Sequence, residues 1–79
     1  MRIDKYLKNA RIIKRRTIAK VACEQGRIEI NGKSAKPGAE IKIGDNIHIQ
    51  FGNKELNIRV TGLTESPRKE DAADMYEVI

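Results

Sequence analysis

Eight cations lie within the nineteen residues from Arg2 to Lys20, and their spacing suits the neutralisation of phosphates better than any bond-making chemistry. Arg2, Lys5, Lys8 and Arg11 recur at threefold spacing, Lys14-Arg15-Arg16 follow as a block, and Lys20 comes one helical turn later. Asp4 is the single acid among them, so the segment is formally +7 in a chain whose net charge is +5, and the remainder is −2. Interspersed carboxylates would make such a run a self-paired, solvated helix face. Their near absence leaves a concentrated positive field that draws in polyanions, with nucleic acid the first candidate.

The remaining residues offer little to an enzyme. There is no nucleophile with an adjacent base and no pair of carboxylates at working distance in the pattern. One histidine, His48, and one cysteine, Cys23, cannot supply the usual four-ligand zinc site. Ser34 and Ser66 have turn or capping roles open to them, and the glycines punctuate turns between strands instead of forming a strand-to-helix phosphate loop. No catalytic activity, metal or cofactor is expected. A lone Cys23 excludes an internal disulfide, fits a reducing compartment and reads as a small inward-facing helix residue. No apolar run approaches the ~18 residues of a membrane span, and the N-terminal residues lack a hydrophobic signal region, so a cytoplasmic location is expected.

Seventy-nine residues make one domain with a small core, too small for a deep pocket with its own lid. Ile3, Tyr6, Leu7 and Ala10 fall at i, i+3, i+4 and i+7 and predict a first helix over 3–10, with Asp4 in its first turn, where a carboxylate meets unpaired amides. Ile18, Val21, Ala22 and Gln25 predict the inner face of a second helix over 17–25, opened by Thr17 as N-cap and closed by Gly26. Between the helices, Ile12 and Ile13 turn inward while Lys14, Arg15 and Arg16 turn out. Those three cations crowd the positive dipole end of the second helix, an arrangement that an external anion would relieve.

After Gly26 the period falls to two. Ile28 and Ile30 alternate with polar residues, Asn31-Gly32 is the dipeptide most favoured in a type I′ hairpin turn, and a return strand follows through Lys33 to Lys36. Ile47, Ile49 and Phe51 alternate with His48 and Gln50, which places Phe51 on the apolar side and His48 on the solvated one. Gly52-Asn53 then turns the chain into Leu56, Ile58 and Val60. Ser66-Pro67 predicts the start of a short helical turn through Asp74, in a tail formally −3, and Met75 to Ile79 has the pattern of a final strand. The expected fold is α+β: two N-terminal helices packed on a small, mostly antiparallel bent sheet, closed by that turn and strand.

Which nucleic acid is decided by where the cations sit. A DNA-reading second helix would expose base-reading side chains, whereas this one offers chiefly Lys20, Glu24 and Gln25. The cations gather at helix ends and at the corner between the helices, which suits phosphate contact and recognition of backbone shape. With Tyr6 in the core and Phe51 on the apolar side of the sheet, few aromatics are left to stack on single-stranded bases. Folded, double-helical RNA is the better expectation.

Arg2-Ile3-Asp4-Lys5-Tyr6-Leu7, Arg11, the Lys14-Arg15-Arg16-Thr17 corner, Ala19, Gly26 and Ile28-Glu29-Ile30-Asn31-Gly32 closely resemble the αL RNA-binding motif, the domain type named after ribosomal protein S-four. The resemblance covers about residues 1–51, with 52–79 as a further hairpin and C-terminal extension of one domain. Within that family, the start through Lys8, the run Ile13 to Thr17 and the stretch Lys69 to Tyr76 are similar to short stand-alone members that serve ribosome-associated quality control, relatives of the fifteen-kilodalton heat-shock protein. The resemblance implies a non-catalytic clamp on the large ribosomal subunit, touching rRNA and peptidyl-tRNA while a partner factor adds C-terminal alanine tails. It also implies that Arg2, Lys5, Lys8, Arg11, Lys14, Arg15, Arg16 and Lys20 contact RNA, with Asn31 and Lys33 as weaker hairpin contacts. Asp4 would orient Arg2 or Arg16, in competition with its helix-start role. A general rRNA-binding assembly factor or RNA chaperone, and an RNA-binding accessory subunit of a separate enzyme, stand as alternatives.

Overall fold

A computed structural model of the chain describes residues 1–64 and 68–79, apart from the side chains of 69–71. Two helices, α1 (Ile3–Asn9) and α2 (Arg16–Glu24), precede the strands β1 (Ile28–Ile30), β2 (Lys33–Ser34), β3 (Asn46–Phe51) and β4 (Lys54–Val60). A 3-10 helix (Lys69–Met75) then leads into β5 (Tyr76–Val78). The five strands form one sheet in the order β2-β1-β3-β4-β5, and every pairing is antiparallel. The final strand expected at 75–79 is present, paired with β4 through Ile58↔Val78 and Val60↔Tyr76. The expected helix start at Ser66-Pro67 lies outside the described residues.

The core follows from the two periodicities. Ile3, Tyr6, Leu7 and Ala10 of the first helical segment bury against Ile28, Ile47, Ile49, Ile58 and Val60, the inward parity of β1, β3 and β4. Tyr6 is fully buried, and its hydroxyl donates to the Met75 carbonyl at 2.5 Å, so the first helix is tied to the last turn. Burial pushes the Tyr6 phenol far above its ordinary ionisation range, which leaves it neutral and able to donate.

The inner face of α2 differs from the expected one. Ile18 and Val21 are 56% and 45% exposed, and the buried residues are Ala19 and Cys23. Both sets of residues have helical spacing, one position apart, and the smaller set wins because Ala19 and Cys23 let α2 approach α1 and β1 closely. Thr17 lies inside the helix, and the boundary residue is Arg15, which makes no side-chain cap. Phe51 is on the inward parity but at the end of β3, where it is 40% exposed. The return strand β2 is only two residues long, because the chain leaves the edge after Ala35 to make the Pro37-Gly38 turn.

Candidate nucleic-acid interface

Two of the expected cations, Arg2 and Arg16, meet on one buried carboxylate. The first four residues run against 37–41: the Ile3 amide donates to the Ala39 carbonyl at 2.8 Å and the Ile41 amide to the Met1 carbonyl at 3.0 Å. This pairing fixes Arg2 beside the start of α1 and brings its guanidinium over Gly38. A Cβ at Gly38 would stand 3.7–3.8 Å from Nη2, Cζ and Nε alike, so the residue lies against the flat face of the guanidinium. Asp4, whose side chain is 3% exposed, accepts from Arg2 Nη2 at 3.2 Å with Oδ2, and Arg16 Nε lies 3.4 Å from the same oxygen. Its other oxygen accepts the Lys5 amide at 2.8 Å. Asp4 therefore serves the helix start and links the two arginines at once. Both guanidiniums remain about half exposed, at 48% and 46%, with donors left over for a ligand.

The corner between the helices is built to repel its own charges. After α1 the chain closes a Schellman turn: the Arg11 amide donates to the Lys8 carbonyl at 3.0 Å and the Ile12 amide to the Leu7 carbonyl at 3.1 Å. The left-handed position of this turn, usually a glycine, is Arg11 at φ 59°. A bulky side chain held there costs about 1 kcal/mol and marks a position where something other than stability is served. Replacing Arg11 with Gly is expected to raise stability by about 0.5–1 kcal/mol. The same change removes one cation from the basic segment and is expected to weaken RNA binding about fivefold. Thermal melts and RNA titrations check the two signs separately, and a variant less stable than the parent would remove the strain argument.

Lys14, Arg15 and Arg16 then surround the start of α2, all exposed, with no acid in its first turn and no side-chain cap on its amides. Uncapped amides, the positive dipole end and three cations make a ready phosphate site. Lys20, four residues after Arg16 on the same helix, is exposed as well. Ile18 and Val21 add apolar surface on that helix. Lys5 is half-buried, and Lys8 is an exposed cation in the last turn of α1, where it also suits the negative end of that helix.

The two hairpin candidates separate. Lys33 is exposed on β2. Asn31 is exposed too, but its amide is engaged within the chain: its Nδ2 donates to Asp45 Oδ1 at 3.2 Å and its Oδ1 accepts the Asn46 amide at 2.9 Å. Asn31 and Gly32 take φ 52° and 84°, the two left-handed positions of a type I′ turn, and Asp45 anchors that turn to the base of β3. In the sequence Gly44-Asp45 and Pro37-Gly38 have only the composition of turns. Their roles in fixing Asn31 and supporting Arg2 depend on contacts 14 and 36 residues apart, which no local pattern reports.

Outside this face the reactive residue types are committed. Burial, with the nearby Asp4 and Glu24 carboxylates, pushes the Cys23 thiol up to about 11, so it is protonated at neutral pH. His48 is not simply solvated: its Nδ1 pairs with Asn57 Oδ1 across β3 and β4 at 2.8 Å. Among the described residues no three His, Cys, Asp or Glu side chains are grouped to hold a metal, and no helix is long and apolar enough to cross a membrane.

Residues 1–47, which include the helices, their corner and the Asn31-Gly32 hairpin, match the S4 domain family model. The chain belongs to the S4 domain family. Relatives named RQC P-site tRNA stabilizing factor match it across its length: the Streptococcus pneumoniae protein is 53% identical over 79 residues, all of this chain and 90% of that one. The Bacillus subtilis protein is 47% identical over all of this chain and 92% of its own. Heat shock protein 15 of Escherichia coli is 33% identical over 98% of this chain and 59% of its own length. The solved structure of Heat Shock Protein 15 from Vibrio cholerae, described as trimeric, superposes with a TM-score of 0.93 at 31% identity, covering all of this chain and 81% of that one. In the S4 frame, the Asp4-centred pair links the residue before the first helix to the first residue of the second.

Proposed function

We propose that this chain is a non-catalytic, structured-RNA-binding factor of the cytoplasm that sits on the large ribosomal subunit and steadies peptidyl-tRNA during quality control of stalled nascent chains. In this reading it contacts rRNA and tRNA together as a monomer, and a separate partner factor adds the C-terminal alanine tail. The observation that carries the RNA part is the shared anchoring of Arg2 and Arg16 on buried Asp4, with both heads open to solvent beside an uncapped helix start. The full-length similarity to proteins named P-site tRNA stabilizing factors supports the ribosomal assignment.

The testing experiment compares affinity for empty large subunits and for large subunits carrying peptidyl-tRNA, at matched near-physiological salt. Preference for the obstructed particle is the expected result. Equal affinity for both particles and for unrelated duplex RNA would reduce the chain to a general RNA-binding protein. If about six phosphates are neutralised, affinity falls with salt at a log–log slope of roughly −4 to −5. Arg16→Ala is expected to weaken binding and flatten that slope by about one. An unchanged slope would remove Arg16 from the phosphate contacts.

A further inference from the structure

Along the open edge of β2 runs a groove of about 620 Å³, within the roughly 300–1,000 Å³ that accommodates a small ligand. Ile30, Ala35 and Ala39 give it an apolar floor, and the exposed ammonium groups of Lys33 and Lys36 stand at its rim. Neither ammonium makes an ion pair among the described residues, and no carboxylate lines the groove. Ser34 supplies a donor of another kind. In the β1–β2 hairpin the Ala35 amide bonds the Ile28 carbonyl at 2.9 Å, so the neighbouring Glu29↔Ser34 pair is the non-hydrogen-bonded one. The Ser34 amide therefore faces away from β1, toward the open edge.

The groove also joins the interface already described. Its far wall is Gly38, the residue against which the Arg2 guanidinium lies, in a turn closed by the Ala39 amide on the Lys36 carbonyl at 2.9 Å. Positive groups thus continue from Arg16 and Arg2, which share Asp4, past Gly38 to Lys36 and Lys33. A duplex is too wide for such a space, and an apolar floor under a cationic rim matches a nucleobase attached to its phosphate.

We propose that this groove holds one unpaired nucleotide of the bound RNA, with its base on Ile30, Ala35 and Ala39 and its phosphate at Lys33, Lys36 and the Ser34 amide. The chain would then read a junction, with helical RNA on the Arg2–Arg16 side and a single-stranded extension at β2. This rests on the RNA-binding reading above, and the test separates the two.

The full chain is titrated with a blunt RNA duplex and with the same duplex carrying a short 3′ overhang, at one salt concentration. The overhang is expected to bind about tenfold tighter. Ser34→Glu, at an exposed edge position, is expected to abolish that preference while leaving blunt-duplex affinity within about twofold. Lys36→Ala is expected to reduce the preference and covers the case in which Ser34→Glu disturbs the hairpin. Equal binding of both RNAs by the parent chain, or a preference that survives both substitutions, overturns the proposal and leaves the duplex face standing. Failure of the parent chain to bind either RNA overturns this inference, and failure to bind large subunits as well overturns the RNA-binding reading.

Discussion

Replacing Asp4 with Ala is expected to weaken RNA binding about tenfold to a hundredfold, although the variant is one charge more positive. The sign is what makes the experiment informative. Bulk attraction alone would tighten binding to a polyanion when an acid is removed. Asp4, however, holds Arg2 and Arg16 from below with one oxygen, and without it two long side chains must be ordered at the moment of binding. Immobilising a rotamer-rich side chain costs about 0.5–1.5 kcal/mol, and two of them give the expected range. The pairs add little to stability, because both guanidiniums are half exposed and screened by water. Asp4→Ala retains every cation, so its salt slope is expected to match the parent's while Arg16→Ala flattens it. Affinity equal to or above the parent's would sink the orienting role of Asp4.

Tyr6→Ala is expected to be the most damaging single change to the fold, costing about 3–5 kcal/mol for a fully buried aromatic. Against a total of about 0.05–0.15 kcal/mol per residue, or roughly 4–12 kcal/mol for 79 residues, this removes a large share of the stability and, at the lower end, all of it. Tyr6→Phe separates packing from the hydrogen bond. It keeps the ring and removes one of three donors to the Met75 carbonyl, which still accepts the Thr61 and Gly62 amides at 2.9 and 3.1 Å, so the expected cost is about 0.5–1.5 kcal/mol. Each kilocalorie lowers the melting midpoint by about 4–8 °C in a domain of this size. RNA affinity measured below the midpoint is expected to stay at the parent's value. A Tyr6→Phe melt indistinguishable from the parent's would show that the bond contributes nothing.

Much of this arrangement is written in local pattern. The i, i+3, i+4, i+7 set from Ile3 to Ala10 places α1, Asn31-Gly32 places the first hairpin, and the alternation of Ile47 and Ile49 places β3, because each signal lies within or beside the element it specifies. The inner face of α2 was misread because two helical stripes lie one residue apart, and bulk favoured Ile18 and Val21 where close approach required Ala19 and Cys23. Phe51 lies on the expected side yet is 40% exposed, because parity gives direction without depth and the end of a strand runs out of core. In the site, charge density marks the basic segment from composition alone. The joining of Arg2 to Arg16 through Asp4, and the hydrogen bonds of the exposed Asn31 amide to Asp45 and Asn46, depend on the tertiary fold.

The bond from Tyr6 to Met75 spans 69 residues and sets an order of events during synthesis. Helix α1 has seven residues, too few to persist alone in water. At about 5–20 residues per second, several seconds pass between the making of Tyr6 and of the carbonyl that receives its hydroxyl. Through that interval the helix that carries Asp4, on which Arg2 and Arg16 are oriented, lacks its final restraint. A half-made copy is therefore a poor competitor for the RNA that a finished copy engages, and affinity arrives late and all together, as a property of the completed chain.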